Sequence, residues 1–267
     1  MNSVAIIIVS FNCRDALRQS LRSLPAVRTI VVDNASVDGT VAMLRAEFPA
    51  LIIIANETNC GFAAACNQGF AASTEPFVLL LNPDTINPPV TQLVDYLTAH
   101  PNVGACGPRI LNPDGSKQVS CRRFPTLWRM ALAELGLRRF YHVTDPGEDV
   151  EQVMGSCLLL RRAAVDQVGP LDERFFVYFE EVDLCLRLHQ AGWRVSYVRD
   201  ATVTHAGGQS SRTNRAASLR YRYQSLFSFY RKHYRPWQLF VLKCAVQIGT
   251  AIRCGEYSEI AKEVWRL

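Results

Sequence analysis

The sequence predicts an α/β protein built on a mainly parallel central sheet, with helices on both faces and further helices at the C-terminus. Three observations carry this. Short runs of Val, Ile and Leu alternate with segments whose apolar residues recur at helical spacing. The runs are continuous instead of alternating with polar residues, as strands buried on both sides require. At 267 residues, 49% hydrophobic and 20% charged, the chain suffices for one large domain with a sizeable core; its composition excludes a disordered, collagen-like or low-complexity protein.

Val4–Val9 is a β-branched run that ends at Ser10-Phe11-Asn12, and Leu17, Leu21 and Leu24 follow at helical spacing. The unit repeats: Thr29–Val32 ending on Asp33, the turn-rich stretch from Asn34 to Thr40, then Val41, Leu44 and Phe48 before Pro49. Leu51–Ile54 is a third strand, followed by a Gly/Asn loop from Asn56 to Gly61 and a small-residue helix from Phe62 to Ala72. Phe77–Leu81 is a fourth strand, and Val90, Leu93, Val94 and Leu97 mark the next helix. Val103 to Asp149 is less regular and reads as an elaboration beside the sheet, with a turn at Asn112-Pro113-Asp114-Gly115 and a helix over Leu127–Leu137. Val153–Leu160 is a buried strand, Glu180–Gln190 a helix closed by Gly192, and Trp193–Val198 and Thr202–Thr204 short strands leading to His205. Beyond Gly208 the chain is polar, then helical.

The net charge of +5 is uneven. Residues 201–255 hold nine Lys/Arg and no Asp or Glu, whereas the first 200 residues sum to −3. Such a tail attracts the phosphates of nucleotides, nucleic acids or anionic lipids, or is a solvated helix face. The nine cysteines form no CxxC pair and lie in apolar stretches, as buried thiols in a reducing cytosol would. No basic-then-apolar leader opens the chain, and the apolar tract Trp237–Ile252 is broken by Lys243 and Gln247 and falls short of the roughly 20 residues a bilayer needs. A cytoplasmic location follows as the expectation.

In open parallel sheets ligands bind beyond the carboxyl ends of the strands. The residues there are polar: Ser10 and Asn12, Asp33 and Asn34, Asn59 and Gly61, Asn82 and Asp84. That edge suits a ligand with many hydroxyls. The first turn lacks GxGxxG and no GxxxxGK[ST] occurs, which excludes the usual dinucleotide and P-loop sites. Asp84 can hold a divalent cation against a diphosphate, or simply cap the next helix. Glu180, Glu181 and Asp183 open a helix directly behind Phe175-Phe176-Val177-Tyr178-Phe179; one of them can serve as a general base beside an aromatic wall, although acids are common in a first helical turn.

Together these elements resemble the inverting family 2 glycosyltransferases of GT-A fold, in particular the rhamnosyltransferase-like branch that builds bacterial surface polysaccharides. The likeness spans roughly residues 4–235. Val31-Val32-Asp33-Asn34-Ala35-Ser36-Val37-Asp38-Gly39-Thr40 is similar to the family's VVDNxSxDGT element, and Asn59 to Gly69 to its NxGFAxAxNxG element. The resemblance implies a donor site formed by Ser10, Asn12, Asp33, Asn34, Asn59, Gly61, Phe62, Asn67 and Asn82. The family's DxD stands here as Asn82-Pro83-Asp84, which implies Mg²⁺ or Mn²⁺ at Asp84 with His205. Leu171 to Cys185 is similar to DExFFxYxEDxDLC, implying Glu181 as the base, with Glu180 the alternative and Asp183 beside them; Arg231 to Tyr234 is similar to the C-terminal KHY element.

The resemblance further implies a catalytic domain over residues 1–210, with a nucleotide-sugar-binding part to about 105 and an acceptor part from about 106, followed by a basic helical extension over 211–267. The expected reaction moves a sugar from dTDP-rhamnose or a UDP-sugar to a glycan or lipid-linked acceptor, with the tail docked on an anionic inner membrane face. A non-catalytic nucleotide-sugar-binding subunit is the alternative. A sugar-nucleotidyltransferase would want a Gly-rich loop after the first strand, and no nucleic-acid-reading module is present.

Overall fold

The computed structural model describes residues 3–207, 215–253 and 257–267. In chain order its strands are β1 (Val4–Ser10), β2 (Arg28–Asp33), β3 (Ile52–Ala55), β4 (Phe77–Leu81), β5 (Thr85–Ile86), β6 (Val103–Leu111), β7 (Cys121–Arg122), β8 (His142–Val143), β9 (Gln152–Val153), β10 (Cys157–Arg161) and β11 (Arg194–His205). Its helices are α1 (Arg14–Arg22), α2 (Thr40–Glu47), α3 (Phe62–Ala71), α4 (Val90–Ala99), α5 (Leu127–Glu134), α6 (Arg162–Val168), α7 (Glu180–Gln190), α8 (Arg215–His233), α9 (Pro236–Arg253) and α10 (Tyr257–Glu263).

The central sheet runs β3-β2-β1-β4-β10-β6-β11-β5. β3, β2, β1 and β4 are parallel neighbours, as are β6 and β11, while β10 and β5 join antiparallel. Because side chains alternate across a strand, Ile7, Val9, Ile30 and Val32 pack on one face with Ala65 of α3 and Leu184 and Leu188 of α7. Ile6, Ile8, Val31 and Leu79 pack on the other with Leu17 and Leu21 of α1, Leu44 of α2 and Leu93 of α4. Both faces of the sheet are therefore covered, which explains the unbroken apolar runs.

Three expectations need correction. Val103–Leu111 is a nine-residue strand inside the main sheet, not an elaboration beside it. Its glycines are packing requirements: a Cβ on Gly104 would meet Ala164, Leu188 and Trp193 at 3.1 Å, and one on Gly107 would meet Val153 at 3.1 Å. The run from Val153 to Leu160 is divided, since β9 ends in a small β8-β7-β9 sheet and β10 begins after the bend Met154-Gly155-Ser156. The two short strands before His205 are one strand with an irregularity between Val198 and Thr202.

The C-terminal helices are not a loose tail. Tyr223, Phe227, Phe229 and Tyr230 of α8 form a third core with Phe175, Phe179 and Val182, joined by Leu242 and Val246 of α9. The expected boundary at residue 210 lies outside the described residues. Of the described cysteines, Cys13, Cys66, Cys106, Cys121, Cys157 and Cys185 are buried free thiols. Among the described residues no helix is long and apolar enough to cross a membrane.

Candidate active site

The parallel register of β1 and β2 sets Ser10 beside Asp33. Asp33 is buried, and its Oδ2 accepts from Ser10 Oγ at 2.8 Å and Ser36 Oγ at 2.6 Å, while Oδ1 accepts from the Ser36 amide at 2.9 Å. Asn12 is threaded into the same loop: its amide donates to Ser36 Oγ, and its Oδ1 accepts from the Val37 amide, both at 2.8 Å. Asn34 donates to the Gly61 carbonyl at 3.0 Å and accepts from Asn56 Nδ2 at 2.9 Å. Asn59 Oδ1 accepts from the Gly61 amide at 3.0 Å. The strand-end residues thus form one mutually hydrogen-bonded platform of neutral donors around a buried carboxylate.

Gly61 and Phe62 couple this platform to the aromatic segment. Phe62 N donates to the Phe176 carbonyl at 2.6 Å, and a Cβ on Gly61 would stand 2.6 Å from that same oxygen. With φ at +88° as well, only glycine fits. Asn67 is placed apart from the platform: its amide donates to the Leu171 carbonyl and to Glu173 Oε1, both at 2.9 Å, and its Oδ1 accepts from the Leu171 amide at 3.1 Å. It anchors the loop that leads into the aromatic run.

After β4 the chain leaves the middle of the sheet and reaches its far edge within Asn82-Pro83-Asp84, where β5 pairs with the end of β11. This brings Asp84 Oδ1 to 3.2 Å from His205 Nε2. Asn82 Nδ2 lies 3.3 Å from the same nitrogen. Gln118 Nε2 is spent on Asn112 Oδ1 and the His205 carbonyl, each at 2.7 Å, so Gln118 Oε1, 3.1 Å from His205 Nδ1, is the acceptor. That network assigns the imidazole proton to Nδ1 and turns the Nε2 lone pair toward Asp84. A lone pair and a carboxylate converging in this way fit a divalent cation, His205 favouring Mn²⁺ over Mg²⁺. Among the described residues no group of three or more His, Cys, Asp or Glu could hold a metal, so a cation at this pair would need further ligands from outside these side chains.

The three acids opening α7 are driven apart. Tyr178 and Phe179 both have positive φ, +70° and +71°, a strained conformation for bulky residues that aims the start of the helix. Glu180 is buried; burial and the Glu181 charge push its carboxyl well above the ordinary range. Glu181 lines a cavity of about 530 Å³ bounded by Arg122, Tyr141, His142 and Tyr178. Burial raises its pKa as well, while the Arg122 charge and backbone N–H groups of the first helical turn hold it down. Neither Glu180 Oε2 nor Glu181 Oε2 has a hydrogen-bond partner. Asp183 is fully buried away from the cavity. Burial raises its pKa, but Oδ1 accepts from His233 Nε2 at 2.7 Å and Lys232 Nζ at 2.6 Å, and Oδ2 from Arg187 Nε at 2.8 Å; the net effect is a carboxylate held below its usual range. It clamps α7 to α8.

Sequence reading missed Ser36, which satisfies Asp33; Gln118, which orients His205; and Arg122, which faces Glu181. Ser36 lay within a quoted motif. Gln118 and Arg122 sit in the irregular stretch, where an isolated polar residue carries no local signal.

Residues 5–169 match the family model described as glycosyl transferase family 2. The N-acetylglucosaminyl-diphospho-decaprenol L-rhamnosyltransferase of Mycobacterium tuberculosis is 32% identical, over 88% of this chain and 84% of that protein. The rhamnosyltransferase WbbL of Escherichia coli is 26% identical, over 85% and 92%. Among solved structures, the mannosyltransferase PcManGT of Pyrobaculum calidifontis, in complex with GDP-Man and Mn²⁺, superposes with a TM-score of 0.59 at 18% identity, covering 97% of this chain and 78% of that one. A UDP complex of Staphylococcus aureus TarS gives 0.55 at 15% identity, covering 92% and 65%. The expected GT-A architecture is thereby borne out, the non-catalytic alternative is not favoured, and this chain belongs to glycosyl transferase family 2 as a glycosyltransferase.

Proposed function

We propose that the chain is an inverting transferase that moves a sugar, rhamnosyl before others, from a nucleoside diphosphate to a hydroxyl of a glycan or lipid-linked acceptor in surface polysaccharide synthesis. The rhamnosyltransferase relatives favour dTDP-rhamnose as donor, with a UDP-sugar the alternative. One observation carries the reading. Asn82 N donates to the Ser156 carbonyl at 2.9 Å, and a Cβ on Gly155 would lie 3.5 Å from Glu181 Cβ, so the Asp84–His205 pair and Glu181 flank a single short bend. Leaving group and base are thereby held on two sides of one space.

Ser10, Asn12, Asp33, Asn34, Asn59, Gly61 and Asn82 provide the donor edge. Asp84 and His205 hold a divalent cation, which when bound neutralises the charge that develops on the departing diphosphate. Glu181 takes the proton of the acceptor hydroxyl. That oxygen bonds to the anomeric carbon from the face opposite the diphosphate, the old carbon–oxygen bond breaks, and its electron pair leaves with the nucleotide. The state between is oxocarbenium-like and the anomeric centre inverts in one displacement. Glu181 performs this from its carboxylate form, so transfer rises with pH through a pKa above that of an ordinary glutamate.

The test is a calorimetric titration with dTDP, UDP and GDP, each with and without Mn²⁺. One diphosphate binds, more tightly with metal, and Asp84→Asn removes the metal dependence; no binding to any, or affinities indifferent to Mn²⁺, overturns the donor site. The finer location also belongs to the proposal. α9 exposes Trp237, Phe240, Val241 and Ile248 on a segment free of acidic residues, which suits docking on an anionic membrane face. The protein is expected to co-sediment with phosphatidylglycerol liposomes at low salt, and failure to do so refutes that part.

A further inference from the structure

The cavity beside Glu181 carries more positive charge than one glutamate explains. Arg122 of β7, Arg138 in the 3-10 turn after α5, and Arg222 of α8 all line it, and among the described residues none of the three forms an ion pair with a carboxylate. Their fields converge, because burial and these same three arginines push His142, in the same wall, down to about 4. Glu134, the other acid of the lining, is already engaged by Arg253 Nη2 at 3.0 Å and by the Tyr223 hydroxyl at 2.9 Å. Three guanidinium groups around one space, with Glu181 as the one lining carboxylate not already engaged, repel one another until a further anion joins them.

The surface beside these cations is apolar. Leu135 and Leu137 are 54% and 44% exposed, next in the chain to the lining residues Glu134 and Arg138. Gly249 of α9, where a Cβ would stand only 2.5 Å from the Glu134 carbonyl, brings that helix against the same rim, and its neighbour Ile248 is 54% exposed. The cavity thus holds a half-buried acid and then cations, and exposed hydrocarbon lies close to its lining residues in the chain.

We propose that this cavity holds the acceptor, a sugar joined through a phosphate or diphosphate to a lipid. The sugar hydroxyl reaches Glu181, the phosphate oxygens lie against Arg122, Arg138 and Arg222, and the first carbons of the lipid rest on Leu135, Leu137 and Ile248. The phosphate is a handle: no bond to it forms or breaks, and the proton and electron pair move as in the transfer above. The inference rests on Glu181 being the base of a glycosyltransferase. It adds residues that select the acceptor by its charge.

The test is calorimetric titration in EDTA, without donor, of the full chain with N-acetylglucosaminyl-diphospho-octanol and with octyl N-acetylglucosaminide, which lacks the phosphates. The diphosphate probe is expected to bind at least about ten-fold tighter, with a preference that shrinks as salt rises. The double variant Arg138→Gln/Arg222→Gln, at exposed positions without ion-pair partners, brings the two probes within about two-fold, and Asp84→Asn keeps the preference. Equal affinity, no binding of either probe, or a preference that survives the double variant overturns the proposal. So does a preference lost in Asp84→Asn, which assigns the phosphates to the donor edge, or displacement by inorganic pyrophosphate at equal affinity, which makes the cavity a free-anion site. Failure of the transferase reading shows elsewhere, in the nucleotide titration with Mn²⁺, so the two are told apart.

Discussion

The proposed donor edge and the proposed acceptor cavity lie on two sides of the Met154-Gly155-Ser156 bend and are built on opposite plans. At the donor edge Asp33, Ser10, Ser36, Asn12, Asn34, Asn56 and Asn59 satisfy one another. On the proposed acceptor side Glu180 and Glu181 each keep an unpartnered oxygen, Tyr178 and Phe179 hold strained backbone, and among the described residues Arg122, Arg138 and Arg222 form no ion pair with a carboxylate. The first plan preorganises a surface for a ligand that brings its own hydroxyls. The second leaves charge uncompensated until substrate arrives, which is how a base at the end of a helix dipole stays reactive.

The sharpest way to break the comparison is Glu181→Gln, which keeps shape but removes the basic oxygen. Turnover is expected to fall by about 10²–10⁴ with nucleotide affinity unchanged, read as kcat against the nucleotide Kd; near-normal kcat transfers the role to Glu180. Next comes Asp183→Ala. It strands Lys232, His233 and Arg187 around an empty place, and denaturant unfolding is expected to show a loss of about 3–5 kcal/mol; an unchanged midpoint would mean that α8 does not depend on this clamp.

The smallest effect sharpens the picture. Glu180 has a raised pKa in the folded chain, so the native state binds more protons than the unfolded one and stability falls as pH climbs from the ordinary glutamate range toward the raised value. Glu180→Gln is therefore expected to melt higher than wild type near pH 8, the gap closing toward about pH 4. A gap that widens on acidification contradicts the assignment.

The same division separates what was legible in the sequence from what was not. The donor half is assembled from neighbours in the chain, strand then turn then helix, so Val4–Ser10, Arg28–Asp33 and the Asn59–Gly61 loop could be placed from local pattern. The start of α7 was equally plain, since the acids follow the aromatic run directly. β6 was missed because Gly104, Gly107 and Pro108 imitate a loop; close packing by Ala164 and Val153 demands the two glycines, and that demand is tertiary. Gln118 against His205, and the arginines of β7, the 3-10 turn and α8 around one cavity, come from separate elements. No periodicity records that they meet.

The pairing of β5 with the end of β11 has a consequence for how the protein comes to be. Asp84 and His205 are 121 positions apart (205 − 84), so their pairing is a contact of very long range, closed only when β11 takes its place beside β5 at the sheet edge. A chain emerging from the ribosome completes the platform around Asp33 earlier, because its residues lie within the first 61 positions. The Asp84–His205 pair closes only when the last strand docks, so under the proposed function the group that would polarise a diphosphate is completed after the platform that would bind the nucleotide.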